Sequence, residues 1–275
     1  MTNKHNIEIV FATGCSHSAG GGLETIKYAD DKVTLVRDVY KEKYNVWWDK
    51  TLEVTYASRL ADMLGCKVEN KAASGGGTGR AVREAFDFVK RNWDKKDKLL
   101  LLLELPAYFH RLDMYSTNLN SWVVVNHSVN EEGVRDYVNA TRGYYMDGHH
   151  GDFENTNKDG ALEKYLDNFI DYDIEVSKMN REAEMLLTFL KYHKIKFIYF
   201  EGGQKLKGVL DKSLLSNELN IEGHTDFHNW IMKKGYTIKD ELGADILNDL
   251  HPGYFGNIKF AEFLYEYINT HYDIL

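Results

Sequence analysis

Lys98-Leu99-Leu100-Leu101-Leu102-Leu103 is a strand with no polar face. A strand wetted on one side alternates apolar and polar residues, so an almost unbroken leucine run predicts a central strand covered on both faces. The run is far too short to span a bilayer.

Working outward, Ile7-Glu8-Ile9-Val10-Phe11-Ala12 is a second apolar, β-branched run. It ends at Thr13-Gly14, as a buried strand does when it enters a turn. Between the two runs, residues 51–64 carry Leu52, Tyr56, Leu60, Met63 and Leu64 on one helical stripe, with Gly65 as the C-cap. Residues 67–70 form a short strand. Residues 78–93 return to helical spacing through Val82, Ala85, Phe86, Val89 and Trp93. Beyond the leucine run, residues 175–192 read as a long helix, 195–200 as a strand and 254–267 as a final helix. Strand and helix in alternation predict a parallel sheet with helices on both faces, a flavodoxin-like three-layer α/β/α domain.

Two stretches interrupt the alternation. Residues 28–50 are charged and aromatic, ending in Val46-Trp47-Trp48, and residues 107–171 are long, polar and rich in Asn, Tyr, Gly and His. A structureless loop of the second length is unusual in a compact domain. Both are expected to be insertions of one domain over 1–275, folded over the site as a lid or substrate wall.

At 275 residues, with 43% hydrophobic and 13% aromatic residues, the chain can bury a substantial core. Thirty-four basic against 42 acidic residues leave a net charge of -8, and no basic tract stands out. That argues against a nucleic-acid partner. Cys15 and Cys66 make no disulfide framework. Residues 1–6 lead straight into a strand with no apolar core of signal-peptide length, so a reducing, cytoplasmic setting without membrane attachment is expected.

Parallel sheets keep their chemistry at the carboxyl ends of strands. Three segments fall there: Gly14-Cys15-Ser16, Gly75-Gly76-Gly77 and residues 104–111. Ser16 offers a hydroxyl at a tight strand-to-helix turn, where helix-side N–H groups can stabilise an oxyanion, or it is simply a turn residue. Cys15 is the neighbouring nucleophile, but adjacent side chains diverge, and Ser16 is preferred. The glycine cluster after Asn70 brings backbone N–H groups close to a substrate oxygen, or serves only as a turn. Arg80 stands where a dinucleotide fingerprint needs its third glycine, and no Gly-Lys-Ser/Thr follows, so no nucleotide cofactor is expected. Asp249 and His251 stand two apart, so in an extended loop the carboxylate reaches the imidazole. Arg111 either meets an anionic substrate group or pairs with Asp113. His149-His150 with Asp152, and His224 with His228, have ligand-like spacings but no third ligand, and no metal is expected.

Taken together, Gly14-Cys15-Ser16, Asn70 through Gly75, and Asn248-Asp249-Leu250-His251-Pro252 resemble blocks of the SGNH/GDSL hydrolase family, in the family's order across the whole chain. Cys15 replaces the aspartate of the first block, as in a divergent branch reading G-C-S-F-T. The G-x-N-D block is absent: Glu104-Leu105-Pro106-Ala107-Tyr108-Phe109-His110-Arg111 follows Leu103 instead. The resemblance implies a serine esterase acting on an O-acyl ester of a carbohydrate or small molecule. Ser16 is then the nucleophile, His251 the base, and the Ser16 and Gly75 N–H groups the oxyanion hole. Family spacing points to Asn248 beside His251, whereas Asp249 is the better chemical partner, and a Ser-His dyad is the third arrangement. Losing the asparagine donor costs a factor of about 10²–10³ in rate unless Arg111 or another group replaces it. The same residues also serve acyl transfer to an acceptor hydroxyl, and a non-catalytic binding protein on this fold is the reading from outside enzymology.

Overall fold

The structure is a computed structural model. It describes residues 5–23, 26–29, 32–105, 111–116, 121–129, 135–142, 164–166, 168, 170–202, 219, 227–244 and 246–271. In chain order the elements are β1 (Ile9–Thr13), α1 (Ser16–Ala19), β2 (Ile26–Ala29), β3 (Lys32–Leu35), α2 (Val36–Tyr44), α3 (Tyr56–Leu64), β4 (Lys67–Asn70), α4 (Thr78–Arg91) and β5 (Leu99–Leu105). There follow β6 (Arg111–Ser116), β7 (Ser121–Val129), β8 (Arg135–Arg142), α5 (Tyr172–Tyr192), β9 (Lys196–Glu201), α6 (Phe227–Lys234), α7 (Ile238–Leu242) and α8 (Tyr254–His271).

The main sheet is parallel, in the order β4-β1-β5-β9. Every residue of β5 is buried, and its leucines divide between two cores by the two-residue period of a strand. Leu99, Leu101, Leu103 and Leu105 pack with Phe11, with Ala81, Ala85 and Phe88 of α4, and with Ala183, Leu186 and Leu190 of α5. Leu100 and Leu102 pack with Val10, with Tyr56, Leu60 and Leu64 of α3, with Trp230 of α6 and with Phe260 and Leu264 of α8. Each fully buried leucine contributes about 1.5–3 kcal/mol by leaving water. The architecture is therefore α/β/α, as the leucine run predicts.

Residues 51–64 are not one helix. A 3-10 turn, Thr51–Val54, is followed by Thr55 in extended geometry, and only then does α3 begin. The Thr55 hydroxyl donates to the Leu52 carbonyl at 3.0 Å, and the Ser58 hydroxyl reaches the same carbonyl. Side-chain donors have captured an oxygen that a continuous helix would bond through its backbone. Gly65 closes α3 with φ 66°, as expected.

The two interrupting stretches hold structure of their own. The first begins earlier than 28, with β2 at Ile26: β2 and β3 form an antiparallel pair, and α2 follows to Tyr44. Val36, Tyr40 and Trp48 join Leu23, Val54, Ile238 and Leu242 in a third core. Within 107–171 lie β6, β7 and β8, an antiparallel sheet separate from the main one.

Candidate active site

Three loops meet at the carboxyl edge of the parallel sheet. The first is the turn from β1 into α1. Gly14 has φ 149°, and a Cβ there would stand 2.3 Å from Oε2 of Glu104. Only glycine allows both the backbone and the contact. A Cβ on Gly202, just past β9, would meet Oε1 at 2.4 Å, so the carboxylate of β5 is wedged between the ends of its two neighbouring strands. Oε2 accepts the N–H groups of Cys15 at 2.9 Å and Ser18 at 3.3 Å. Because α1 has no side-chain cap of its own, Glu104 satisfies its N-terminus from another strand. Burial would raise the Glu104 carboxyl, but its hydrogen bonds with His17, Cys15 and Ser18, and the charge on His17, bring it down to about 2.

Ser16 opens α1, and its Oγ lies 2.8 Å from Nε2 of His251. Nδ1 of His251 lies 2.7 Å from Oδ1 of Asp249, which also accepts the His251 backbone N–H at 2.8 Å. Asn248 is exposed, so Asp249 is the side chain that meets the imidazole. Burial pushes the Asp249 carboxyl up, and the hydrogen bonds from the His251 ring and backbone outweigh it, holding the group below its usual range. The loop is pinned at both residues: Lys239 N–H donates to the Asp249 carbonyl and Ile238 N–H to the His251 carbonyl, each at 2.9 Å.

The third loop is the glycine turn after β4. Ala73 N–H donates to the Gly14 carbonyl at 3.2 Å, which lays this turn along the Ser16 turn. Asn70 Nδ2 donates to the Ser18 carbonyl at 2.8 Å and ties β4 to α1. Gly75 has φ 73°. Among the described residues, neither the Gly75 nor the Ser16 N–H donates to another group.

Arg111 begins β6 and packs its backbone on Gly77, and its Nη1 donates to the Gly76 carbonyl at 3.3 Å. Asp113, the alternative partner, is taken by Nε of Arg83 at 2.7 Å. The second stretch thus adjoins the glycine turn, and a cavity of about 360 Å³ lies between α4, β6 and α5, lined by Thr78, Arg83, Arg111, Trp122, Lys178 and Glu182.

Cys15 points away from Ser16 into the protein, its Sγ 2.9 Å from Oε1 of Glu104. Burial, and then the charge of Glu104, push its thiol up, which leaves it a poor nucleophile. His17 was not singled out by sequence, yet its Nδ1 lies 3.1 Å from Cys15 Sγ and its Nε2 lies 3.0 Å from Nδ1 of His228. Its ring sits 5.1 Å from that of His251. Gly22 is likewise not singled out, and Glu104 enters only as the start of the strand-end segment 104–111, with no role of its own. A run of three glycines four residues after the candidate serine, and a carboxylate closing an all-leucine strand, are the signals that could have found them. His149, His150, Asp152 and His224 lie outside the described residues. Among the described residues, no helix is long and apolar enough to cross a membrane.

Neither protein-family models nor curated proteins match the sequence. Among solved structures, the crystal structure of the psychrotrophic esterase EstA from Pseudoalteromonas sp., inhibited by monoethylphosphonate, is similar to this chain. The match covers 97% of this chain and 99% of that one, at 14% identity and a TM-score of 0.44.

Proposed function

We propose that the chain is a serine esterase acting on an O-acyl ester of a carbohydrate or small molecule. The observation that carries this reading is the hydrogen-bonded line from Ser16 Oγ through His251 to Asp249, at 2.8 and 2.7 Å. Ser16 attacks the ester carbonyl while Nε2 of His251 takes its proton. The tetrahedral oxyanion is held by the N–H groups of Ser16 and Gly75. His251 then protonates the leaving alcohol, Asp249 holds Nδ1–H and offsets the imidazolium charge, and water cleaves the acyl-Ser16 ester by the same steps in reverse. Arg111, beside the glycine turn, contacts the substrate.

Support for this division of roles comes from the opposite settings of the two candidate nucleophiles. Ser16 faces a base, whereas Cys15 donates into a buried carboxylate. The motifs shared with the SGNH/GDSL hydrolases point the same way. A fluorophosphonate probe should label the wild-type protein and not Ser16→Ala. Equal labelling of both, or of neither, would refute the reading.

A further inference from the structure

The cavity between α4, β6 and α5 lies outside the Ser16–His251–Asp249 line, and its volume of about 360 Å³ falls at the small end of ligand pockets, which run from about 300 to 1,000 Å³. Glu182 lines it from α5. Among the described residues, this half-buried carboxylate makes no hydrogen bond or ion pair. Burial pushes its carboxyl above the ordinary value, and the charges of Lys178 and Arg181 do not offset the rise. Such a group gains from any hydrogen-bond donor that enters. On the facing helix α4, a Cβ at Gly79 would crowd Oε2 at 3.2 Å, and glycine leaves that space open.

Trp122 of β7 supplies an aromatic wall and stays 37% exposed. The Arg83 guanidinium lies 4.1 Å from its ring centroid and is itself held by Asp113 and Glu84, at 2.7 and 2.9 Å. The indole is thus positioned before any ligand arrives. The charges on the walls then select the ligand class. Arg83, Arg111 and Lys178 stand against Asp113, Glu175 and Glu182, three of each sign. Arg83 is committed to Asp113, and Lys178 lies 3.8 Å from Glu175. A cationic ligand drawn to Glu182 meets the like charges of Lys178 and Arg181, and an anionic one meets Glu182 itself. A neutral ligand rich in hydroxyls finds a carboxylate acceptor and an aromatic ring, without charge repulsion.

We propose that this cavity is a subsite for one neutral sugar ring, packed against Trp122 and hydrogen-bonded through its hydroxyls to Glu182. Arg111 joins the subsite to the nucleophile turn. Its Nη1 donates to the Gly76 carbonyl at 3.3 Å, and a Cβ on Gly76 would stand 2.8 Å from the Gly14 carbonyl oxygen. That the ring is a glycosyl unit of the acylated substrate rests on the esterase reading, whereas sugar binding itself does not.

The test uses Ser16→Ala, in which binding is read without turnover. Methyl glycosides of glucose, galactose, rhamnose and N-acetylglucosamine are titrated into ¹⁵N-labelled protein, beside glucuronate and glucosamine as anionic and cationic counterparts. The Trp122 indole N–H is assigned as the signal missing from Trp122→Phe. It should shift with at least one neutral glycoside and respond less to either charged sugar. Adding Glu182→Gln should weaken that binding about tenfold, since a charged acceptor gives way to a neutral one. Silence toward all four neutral glycosides would overturn the proposal. A stronger response to glucosamine would make Glu182 a cation site, and a stronger response to glucuronate would assign the cavity to its cations, and either overturns it. Unchanged binding in the Glu182→Gln variant refutes the role of that carboxylate, and the sugar panel stays decisive should the variant fail to fold. Fluorophosphonate labelling of Ser16 is scored separately, so failure of the sugar subsite and failure of the esterase reading are told apart.

Discussion

Asp249 lies so close to Gly22 that a Cβ on the glycine would stand 2.6 Å from Oδ2, and the glycine backbone sits at φ 82°. The loop that follows α1 is thus shaped around the carboxylate that pairs with His251. Gly22→Ala meets two penalties at once. The left-handed backbone costs about 1–2 kcal/mol for a residue with a Cβ, and the methyl group pushes Asp249 away from His251. Turnover of an activated ester should fall at least about tenfold, toward the factor of about 10⁴ that a lost orienting carboxylate costs in serine proteases. Wild-type turnover in a folded Gly22→Ala protein would show that Asp249 tolerates displacement.

Glu104 should give the protein an acid-sensitive share of its stability. Its folded carboxyl titrates near 2 against an ordinary 4.5. As pH falls, the unfolded chain takes up this proton first, so the stabilisation is complete above about 4.5 and is lost on the way down to about 2. The shift corresponds to roughly 3 kcal/mol. Urea unfolding of wild type and Glu104→Gln should therefore differ most at pH 7 and converge by about that amount near pH 2.5. A gap independent of pH would mean that Glu104 acts by shape alone.

Glu241 is a second buried carboxylate, and it works with the opposite sign. It accepts the Tyr40 hydroxyl at 2.7 Å and the N–H groups of Phe255 and Gly256 at 3.1 and 2.9 Å, capping α8 just after the His251 loop. Burial raises its carboxyl above the ordinary value despite these donors. Its ionisation therefore erodes stability as pH rises through the range above 4.5. Tyr40→Phe removes one donor from the charged form and should cost about 1–3 kcal/mol, more at pH 8 than at pH 5. Thermal unfolding at the two pH values reads the difference. An equal loss at both would assign the effect to packing.

What sequence revealed of this molecule follows the reach of each physical signal. Leu99 through Leu103 betray a doubly covered strand because burial on two faces leaves no polar position. Asp249 and His251 are two apart, so their pairing is local, and Ser16 follows a strand end directly. Cys15 and Glu104 are 89 residues apart, and His17 and His228 are 211 apart, so no window along the chain joins them. Glu104 alone looks like the polar end of a strand, and only the folded sheet reveals that Gly14 and Gly202 make room for it. The small sheet of β6, β7 and β8 lies within the stretch read as an insertion, where Asn, Tyr, Gly and His outweigh the short apolar run of residues 122–125.

The identity of the third member of the line can be decided by two substitutions. Asp249, not Asn248, approaches Nδ1 of His251, at 2.7 Å. In the proposed reaction a carboxylate there stabilises the imidazolium that forms as Ser16 attacks, and an amide does not. Asp249→Asn keeps the shape yet removes that charge, so turnover should fall by up to about 10⁴. Asn248 is exposed, and Asn248→Ala should stay within about twofold of wild type, because surface changes of this kind are worth about 0.5 kcal/mol or less. Steady-state kinetics on one ester suffice for both. The reverse ranking would mean that the loop shifts by one residue in the working enzyme. If neither matters while His251→Ala abolishes turnover, Ser16 and His251 operate as a dyad and Asp249 serves only to hold the loop.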